Sequence, residues 1–179
     1  FVLGARELRG VVSNGMLASP SELGLSEDHD GILEIDPIPQ DSARIKPGLP
    51  FKQLYNLDDV IIDCENKMFT HRPDCFGTLG VAREIAGITG QKFVSPDWYS
   101  LSAARSQVSA DAKLTLASKN DVVDKVPRFM AQVVENVTVG PSSMAIQSFL
   151  TRLGSRAINN LVDATNYYML LTAQPTHAC

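Results

Sequence analysis

Cysteine is scarce in this chain of 179 residues, and long apolar runs are absent. The three cysteines, Cys64, Cys75 and Cys179, form no C-x-x-C pair, so neither a disulfide framework nor a closed zinc site is indicated. The longest apolar stretch, Tyr167 to Ala173, falls far short of the ~20 residues that cross a bilayer, and the start of the chain lacks the basic region of a signal peptide. We therefore expect a protein that enters no membrane and works in a reducing cytoplasm.

Basic residues are also few. Sixteen Lys and Arg stand against 20 Asp and Glu, which gives a formal net charge of −4. The excess acid lies almost wholly between Glu22 and Asp41, where seven acids occur without any Lys or Arg. No basic stripe exists to displace counterions from a phosphate backbone, which argues against strong nucleic-acid binding by this chain alone. The acidic run is most simply a solvated surface.

The remaining composition is typical of a folded domain, with 44% hydrophobic residues, 12 Gly and 10 Pro. We predict an α+β fold with three segments, residues 1–49, 50–98 and 113–179, and a linker over 99–112. Apolar and β-branched runs between turn residues predict strands. These runs are Gly31–Ile35, Asp59–Cys64, Lys113–Ala117 and Arg128–Val139.

Three helices are predicted from capping residues and apolar spacing. The first has Asp74 as its N-cap and ends at Gly90, where a left-handed residue is expected. The second is amphipathic and is closed by Gly154. Its apolar residues recur at helical spacing: Ile146, Phe149, Leu150 and Leu153. The third begins at a cap on Asn160 and cannot continue through Pro175.

A first candidate for chemistry follows the strand predicted at 59–64. His71, Asp74 and Cys75 lie close together in the sequence, as the ligands of a metal-dependent hydrolase would. Cys75 has no second cysteine at metal spacing, and a helix cap with flanking surface charges is the simpler interpretation. The nearby glycines match neither a P-loop nor G-x-G-x-x-G and more simply indicate close packing. They are Gly77, Gly80 and Gly87.

A second candidate is a polar block at the start of the last predicted helix. Its members exceed what capping alone requires: Asn159, Asn160, Asp163, Thr165 and Asn166. Because buried amides and hydroxyls need partners, the block either forms a satisfied internal network or lines a pocket, and both interpretations stay open. Arg156 precedes the block and His177 follows it. If both faced one cavity, Arg156 would be available to a phosphate and His177 to a proton or a water.

Three blocks of sequence occur in a recognisable order. They comprise Leu8–Leu17, Glu22–Leu25 and Asp30–Leu33; then Arg72–Cys75 and Gly80–Gly90; then Pro127–Ala131, Val139–Ser142, Ile158–Tyr167 and Gln174–Ala178. Together they resemble the beta subunit of bacterial-type phenylalanyl-tRNA synthetases. The first block resembles the later part of that family's tRNA-binding OB fold, the second the segment after it, and the third the opening of its B3/B4-type editing domain.

The resemblance implies a chain that enters partway through the OB fold and stops partway through the editing domain. It implies a role in tRNA binding and in hydrolysis of tyrosyl-tRNA(Phe). The implied partners are tRNA(Phe) and an alpha subunit, in a heterotetramer of two alpha and two beta chains. ATP and Mg²⁺ serve the complete ligase, whereas this chain takes no cofactor and is expected to be inactive alone. A structural module for subunit contacts, without RNA or catalytic roles, is the alternative.

The resemblance also assigns residues. Arg156 and His177 match editing-pocket positions, with Arg156 placing the acceptor end and His177 contacting the ester or its water. Asn159, Asn160, Asp163 and Asn166 belong to the family's amide-rich block. The acidic residue that reads the phenol hydroxyl would lie beyond Cys179. This sequence departs from the family at Ala173, often glycine, at Tyr168, often a smaller apolar residue, and at Ser155, where an aliphatic residue is expected.

Overall fold

A computed structural model describes residues 2–35, 45–99 and 114–179. Within them the chain forms one two-stranded sheet and four α-helices, which agrees with the predicted α+β class at this coarse level. The strands are β1 (Arg6–Leu8) and β2 (Val11–Ser13), and the helices are α1 (Phe51–Leu54), α2 (Thr78–Thr89), α3 (Met144–Arg152) and α4 (Asn160–Thr172). Short 3₁₀ turns cover Lys67–His71, Pro73–Phe76 and Asp97–Tyr99. The predicted linker lies almost entirely outside the described residues.

The sheet is an antiparallel hairpin in which Glu7 pairs with Val12. Its two-residue turn places Arg9 at φ 52° and Gly10 at φ 81°. A two-residue hairpin loop of this kind needs positive φ at both positions, which glycine adopts at little cost and arginine does not.

The predicted strands are wrong wherever the structure describes them. Residues 31–35, 59–64, 114–117 and 128–139 all run without regular structure, and Lys113 lies outside the described residues. A β-branched run becomes a strand only when a neighbouring strand pairs with its backbone, and the described residues provide none for these segments. Val60 is 78% exposed and Ile62 69% exposed, so the second run also lacks a packed face.

Helix α2 confirms the helix predicted in the second segment, with a different beginning. Pro73–Phe76 form a 3₁₀ turn, and the α-helix starts behind it with Gly77, rather than Asp74, as its N-cap. The end is as predicted, because Gly90 adopts φ 68° and its N–H donates to the carbonyls of Ala86 and Gly87.

Helices α3 and α4 confirm the two predicted helices in the third segment. Gly154 follows α3 at φ 75°. Asn159, one residue earlier than predicted, caps α4, which ends at Ala173 in the left-handed region. The two helices pack together around the fully buried Leu150. Beside it, the rings of Phe149 and Tyr167 meet edge to face at 4.8 Å.

The first and third segments join at α3. Leu25, 3% exposed, is one of three buried apolar residues in the described ranges, with Cys75 and Leu150. The Thr151 hydroxyl donates a 2.7 Å hydrogen bond to the Leu25 carbonyl. Among the described helices, none has the length and apolar character needed to span a membrane.

Candidate functional site

Asp163 is the most buried member of the polar block, with 1% of its surface exposed. Its Oδ2 accepts a 2.5 Å hydrogen bond from the Ser142 hydroxyl, and its Oδ1 accepts a 2.7 Å bond from the backbone N–H of Ile158. Ser142 precedes α3 and Ile158 precedes α4. The carboxylate therefore joins the entrances of the two helices, and both of its oxygens are occupied.

The side chains of Asn159 and Asn160 also form hydrogen bonds with backbone groups. The Oδ1 of Asn159 accepts from the N–H groups of Leu161 (3.1 Å) and Val162 (3.0 Å), which are two of the donors that a helix start leaves free. The Asn160 Nδ2 donates to the Thr138 carbonyl at 2.9 Å.

Asn160 is further tied to the chain before α3 through Gly140. Its backbone N–H donates to the Gly140 carbonyl at 2.8 Å, and its Oδ1 accepts from the Gly140 N–H at 3.3 Å. The side chain and the backbone N–H of Asn160 thus tie the start of α4 to residues 138–140. The geometry of Asn159, Asn160 and Asp163 is that of a satisfied internal network.

Asn166 differs from the other three amide-block residues. It lies one turn further along α4 and is half-buried, and its side chain makes no hydrogen bond to any residue the structure describes. Its amide offers two donors and an acceptor. Of the four residues predicted to form a pocket or network, Asn166 is the one whose side chain is available to a ligand.

Arg156 lies in the turn between α3 and α4 and lines a cleft of about 670 Å³. One wall of the cleft comes from the first segment and carries the carboxylates of Glu27 and Asp28. The opposite wall comes from α3 and includes Gln147 and Thr151. Two carboxylates and one guanidinium give the cleft a mixed charge, and amide and hydroxyl groups supply neutral hydrogen bonding.

His177 lies beyond the other end of α4. It is exposed and is not among the residues that line the Arg156 cleft. Helix α4 has 13 residues, which corresponds to about 20 Å. Arg156 and His177 therefore flank opposite ends of the helix, and their action in a single site stays a prediction.

Asp74, one of the candidate metal ligands after residue 70, belongs to a cluster of ion pairs. The Arg72 guanidinium donates to both oxygens of Asp74 at 3.0 Å and to Glu84 at 2.7 Å, and Arg83 lies 3.3 Å from Asp74. The hydrogen bonds from Arg72 lower the pKa of Asp74, and those to Asp74 and then Glu84 raise the pKa of Arg72.

Metal binding at this position gains no support from the geometry. Both Asp74 oxygens already face guanidinium groups, and Cys75 is buried. His71 is exposed. Within the described ranges, no three His, Cys, Asp or Glu residues are grouped so as to hold a metal ion.

Close packing at two of the three glycines confirms their predicted role. A Cβ on Gly77 would collide with the backbone at the end of α4, and one on Gly80 with the backbone at Asp74 and Cys75. Gly87 has open space around it and carries no such constraint.

Sequence reasoning missed the cleft residues of the first segment. Glu27 and Asp28 belong to the acidic run interpreted as solvated surface, yet they share a cleft with Arg156. No local pattern signals this, because the contact depends on how Leu25 docks against α3. The sequence likewise does not signal Ser142 as the partner of Asp163, because that hydrogen bond depends on how α3 and α4 pack together.

Comparison with known proteins places the third segment in a recognised class. Residues 125–179 match the B3/4 domain, and this range contains Arg156, the polar block and His177. Over nearly its whole length the chain is also similar to beta subunits of phenylalanine–tRNA ligases. The resemblance to that beta-subunit family, which its sequence blocks predicted, is thus confirmed.

The similarity extends to beta subunits from several organisms. The beta subunit of Solibacter usitatus is 37% identical over 98% of this chain and 21% of its own length. That of Anaeromyxobacter dehalogenans is 39% identical over 96% of this chain and 20% of its own length. That of Shewanella oneidensis is 35% identical over 99% and 21%. The chain spans about a fifth of the length of the relatives it matches.

Proposed function

We propose that this chain acts within the beta subunit of a phenylalanine–tRNA ligase, where it contributes to tRNA binding and to hydrolytic editing of tyrosyl-tRNA(Phe). The observation that carries the proposal is the similarity along 96–99% of the chain, together with the B3/4 match over the residues that hold Arg156 and His177. In this assignment residues 1–49 derive from an OB-type tRNA-binding domain and residues 113–179 from the editing domain.

Chemical discrimination explains why such a ligase needs a second site. A pocket shaped for phenylalanine rejects tyrosine poorly, because an added hydroxyl finds room or water, and an apolar pocket discriminates by only ~10²-fold. A site with a buried partner for the phenol hydroxyl excludes phenylalanine, since leaving that partner unsatisfied costs about 1–3 kcal/mol. Hydrolysis at such a site removes tyrosine from mischarged tRNA and spares the correct product.

Some of the described residues stabilise the site, and others are available to contact the substrate. Asn159, Asn160 and Asp163 form hydrogen bonds with backbone groups and with the Ser142 hydroxyl around the entrances of α3 and α4. Arg156 is exposed in the cleft beside this network and is free to hold a phosphate of the acceptor end. His177 and Asn166 are then the groups available to the ester or its water.

The complete enzyme requires more than this chain. We propose a heterotetramer of two alpha and two beta subunits, working in the cytoplasm on tRNA(Phe). ATP and Mg²⁺ supply the activation chemistry at the alpha subunit, and no residue of this chain is assigned to them. Accordingly, this chain alone catalyses no phenylalanine-dependent pyrophosphate exchange.

Deacylation by the complete assembly tests the proposal. Arg156→Ala and His177→Ala should each slow hydrolysis of tyrosyl-tRNA(Phe) and leave phenylalanine activation intact, because the two reactions use separate sites. The loss should be larger for Arg156→Ala, since a charge-assisted bond contributes about 1.5–3 kcal/mol. Parental deacylation by both variants would remove these residues from the working site.

A structural module for subunit contacts is the second candidate, and exposed apolar surface favours it. Ile61 and Ile62 are 58% and 69% exposed, and on the neighbouring elements Phe76 and Ile85 are 68% and 45% exposed. These residues line one apolar groove of about 460 Å³. Titration of the chain against the alpha subunit and against acceptor-stem RNA separates the two functions, because a contact module binds the subunit and leaves the RNA free.

A further inference from the structure

The turn before α2 contacts the C-terminal end of α4. An added Cβ at Gly77 would lie 2.8 Å from the carbonyl carbon of Thr172 and 3.0 Å from the Leu171 oxygen, and closer still to the backbone nitrogen of Ala173. All three are backbone atoms, which cannot rotate away. The Thr78 hydroxyl adds a 3.4 Å hydrogen bond to the Leu171 carbonyl. The contact therefore requires a residue without a side chain at position 77.

The backbone conformation of Gly77 gives no other reason for a glycine. Its φ of −128° and ψ of 154° are extended values that any residue adopts. Replacing Gly77 by alanine thus tests the contact with α4 alone, without the penalty that attaches to a left-handed position.

Two contacts fix this turn to α2. Gly80 packs against the backbone at Asp74 and Cys75, where an added Cβ would lie 2.9 Å from the Cys75 nitrogen. The Arg72 guanidinium links Asp74 in the turn to Glu84 on α2. Residues 72–78 and α2 thereby form one unit, which we call the brace.

The end of α4 that the brace contacts leads directly to His177. Ala173 stops the helix in the left-handed region at φ 61°, a conformation that alanine adopts only at a cost. The Thr172 hydroxyl accepts from the Gln174 N–H at 3.2 Å, which sets the direction of the exit. Three residues, 174–176, separate this exit from His177, so a shift of the turn at Ala173 moves the segment that carries His177.

We propose that the brace is a positioning element for editing, with Gly77 as its positioning residue. By fixing the left-handed exit of α4, Gly77 sets the place of His177 without touching the substrate. The proposal rests on the editing function assigned above. It adds that the segment outside the editing domain controls the rate of the editing reaction.

Three glycine variants of the complete assembly test this inference. Gly77→Ala should lower the kcat for deacylation of tyrosyl-tRNA(Phe) by roughly 10- to 100-fold, as expected for a displacement of about 1 Å, and leave KM and phenylalanine activation near parental values. Gly87→Ala is the matched control, because the same change on α2 meets open space. Adding Ala173→Gly to Gly77→Ala should restore little of the lost rate, since a freer backbone at 173 leaves the exit of α4 without a fixed direction.

Amide hydrogen exchange over residues 171–177 distinguishes the brace from the editing function. Faster exchange in Gly77→Ala, together with slower deacylation that Ala173→Gly does not restore, supports the inference. Unchanged exchange, or faster exchange with parental deacylation, overturns it. Faster exchange in an assembly whose parent does not deacylate tyrosyl-tRNA(Phe) overturns the proposed function and the link to His177, and leaves only the mechanical contact supported.

Discussion

The hydroxyl of Ser142 donates a 2.5 Å hydrogen bond to the buried carboxylate of Asp163, joining the entrance of α3 to the first turn of α4. The same carboxylate holds the Ile158 N–H. The Arg156 turn lies between these helices, so the buried acid sets the frame in which Arg156 is presented to its cleft.

Asp163→Ala should destabilise the full-length protein substantially. The change leaves the Ser142 hydroxyl and the Ile158 N–H without their partner, at about 1–3 kcal/mol for each donor that stays buried. Ser142→Ala removes only one of the two bonds and should cost less. Chemical denaturation of the three proteins measures the order, and equal stabilities for parent and Asp163→Ala would contradict the network described here.

Two amides of one block should respond differently to truncation. Asn159→Ala removes the cap of α4 and should lower the free energy of unfolding by about 1 kcal/mol, whereas Asn159→Asp keeps an acceptor and should lose less. Asn166→Ala breaks no hydrogen bond to the described residues and should leave stability almost unchanged. If Asn166 contacts the substrate, its loss slows deacylation alone. A stability loss at Asn166 equal to that at Asn159 would contradict this division.

Local signals account for the parts of the fold that the sequence predicts. Gly90 and Gly154 occupy left-handed positions after α2 and α3, and both are recognisable because glycine tolerates that conformation. The cap of α4 falls on Asn159, one residue from its predicted place. By contrast, the runs at 59–64 and 128–139 are not strands, since a strand depends on a partner that local sequence does not specify.

The candidate site shows the same limit. Arg156 and His177 are candidates from their place around the polar block and from the family resemblance, whereas the cleft wall formed by Glu27 is not predictable, because it follows from the docking of Leu25 on α3. The glycine pattern predicts close packing at Gly77 without indicating that α4 is what it packs against. Contacts between distant segments are therefore the information that the structure adds.

Acid should weaken the brace. Hydrogen bonds from Arg72 hold the pKa of Asp74 below its ordinary value of 3.8, so this carboxylate stabilises the folded state fully above pH 3.8. That contribution is lost as the pH falls through the lower folded-state pKa. Asp74→Asn should therefore be less stable than the parent near neutral pH, with the difference shrinking below about pH 4.

Unfolding midpoints measured from pH 7 down to pH 3 check this expectation. Asp63→Asn is the control, because Asp63 is exposed and forms no ion pair with any described residue. A gap between Asp74→Asn and the parent that stays constant across this range would show that the ion cluster does not depend on the Asp74 charge.

Neutralising Glu27 should strengthen RNA binding at the Arg156 cleft. Glu27 and Asp28 oppose any phosphate that approaches Arg156, and Glu27 makes no hydrogen bond to the described residues, so Glu27→Gln removes charge without breaking a contact. With a net charge of −4, the parent is expected to bind an acceptor-stem hairpin only at roughly 10⁻⁴ to 10⁻⁶ M. The variant should bind about two- to fivefold more tightly at low salt, and the gain should fade as salt screens the charges.

Glu34→Gln makes the same charge change in the same segment outside the cleft and should give a smaller gain. Equal gains from the two variants would mean that only net charge matters and that Arg156 does not hold the phosphate.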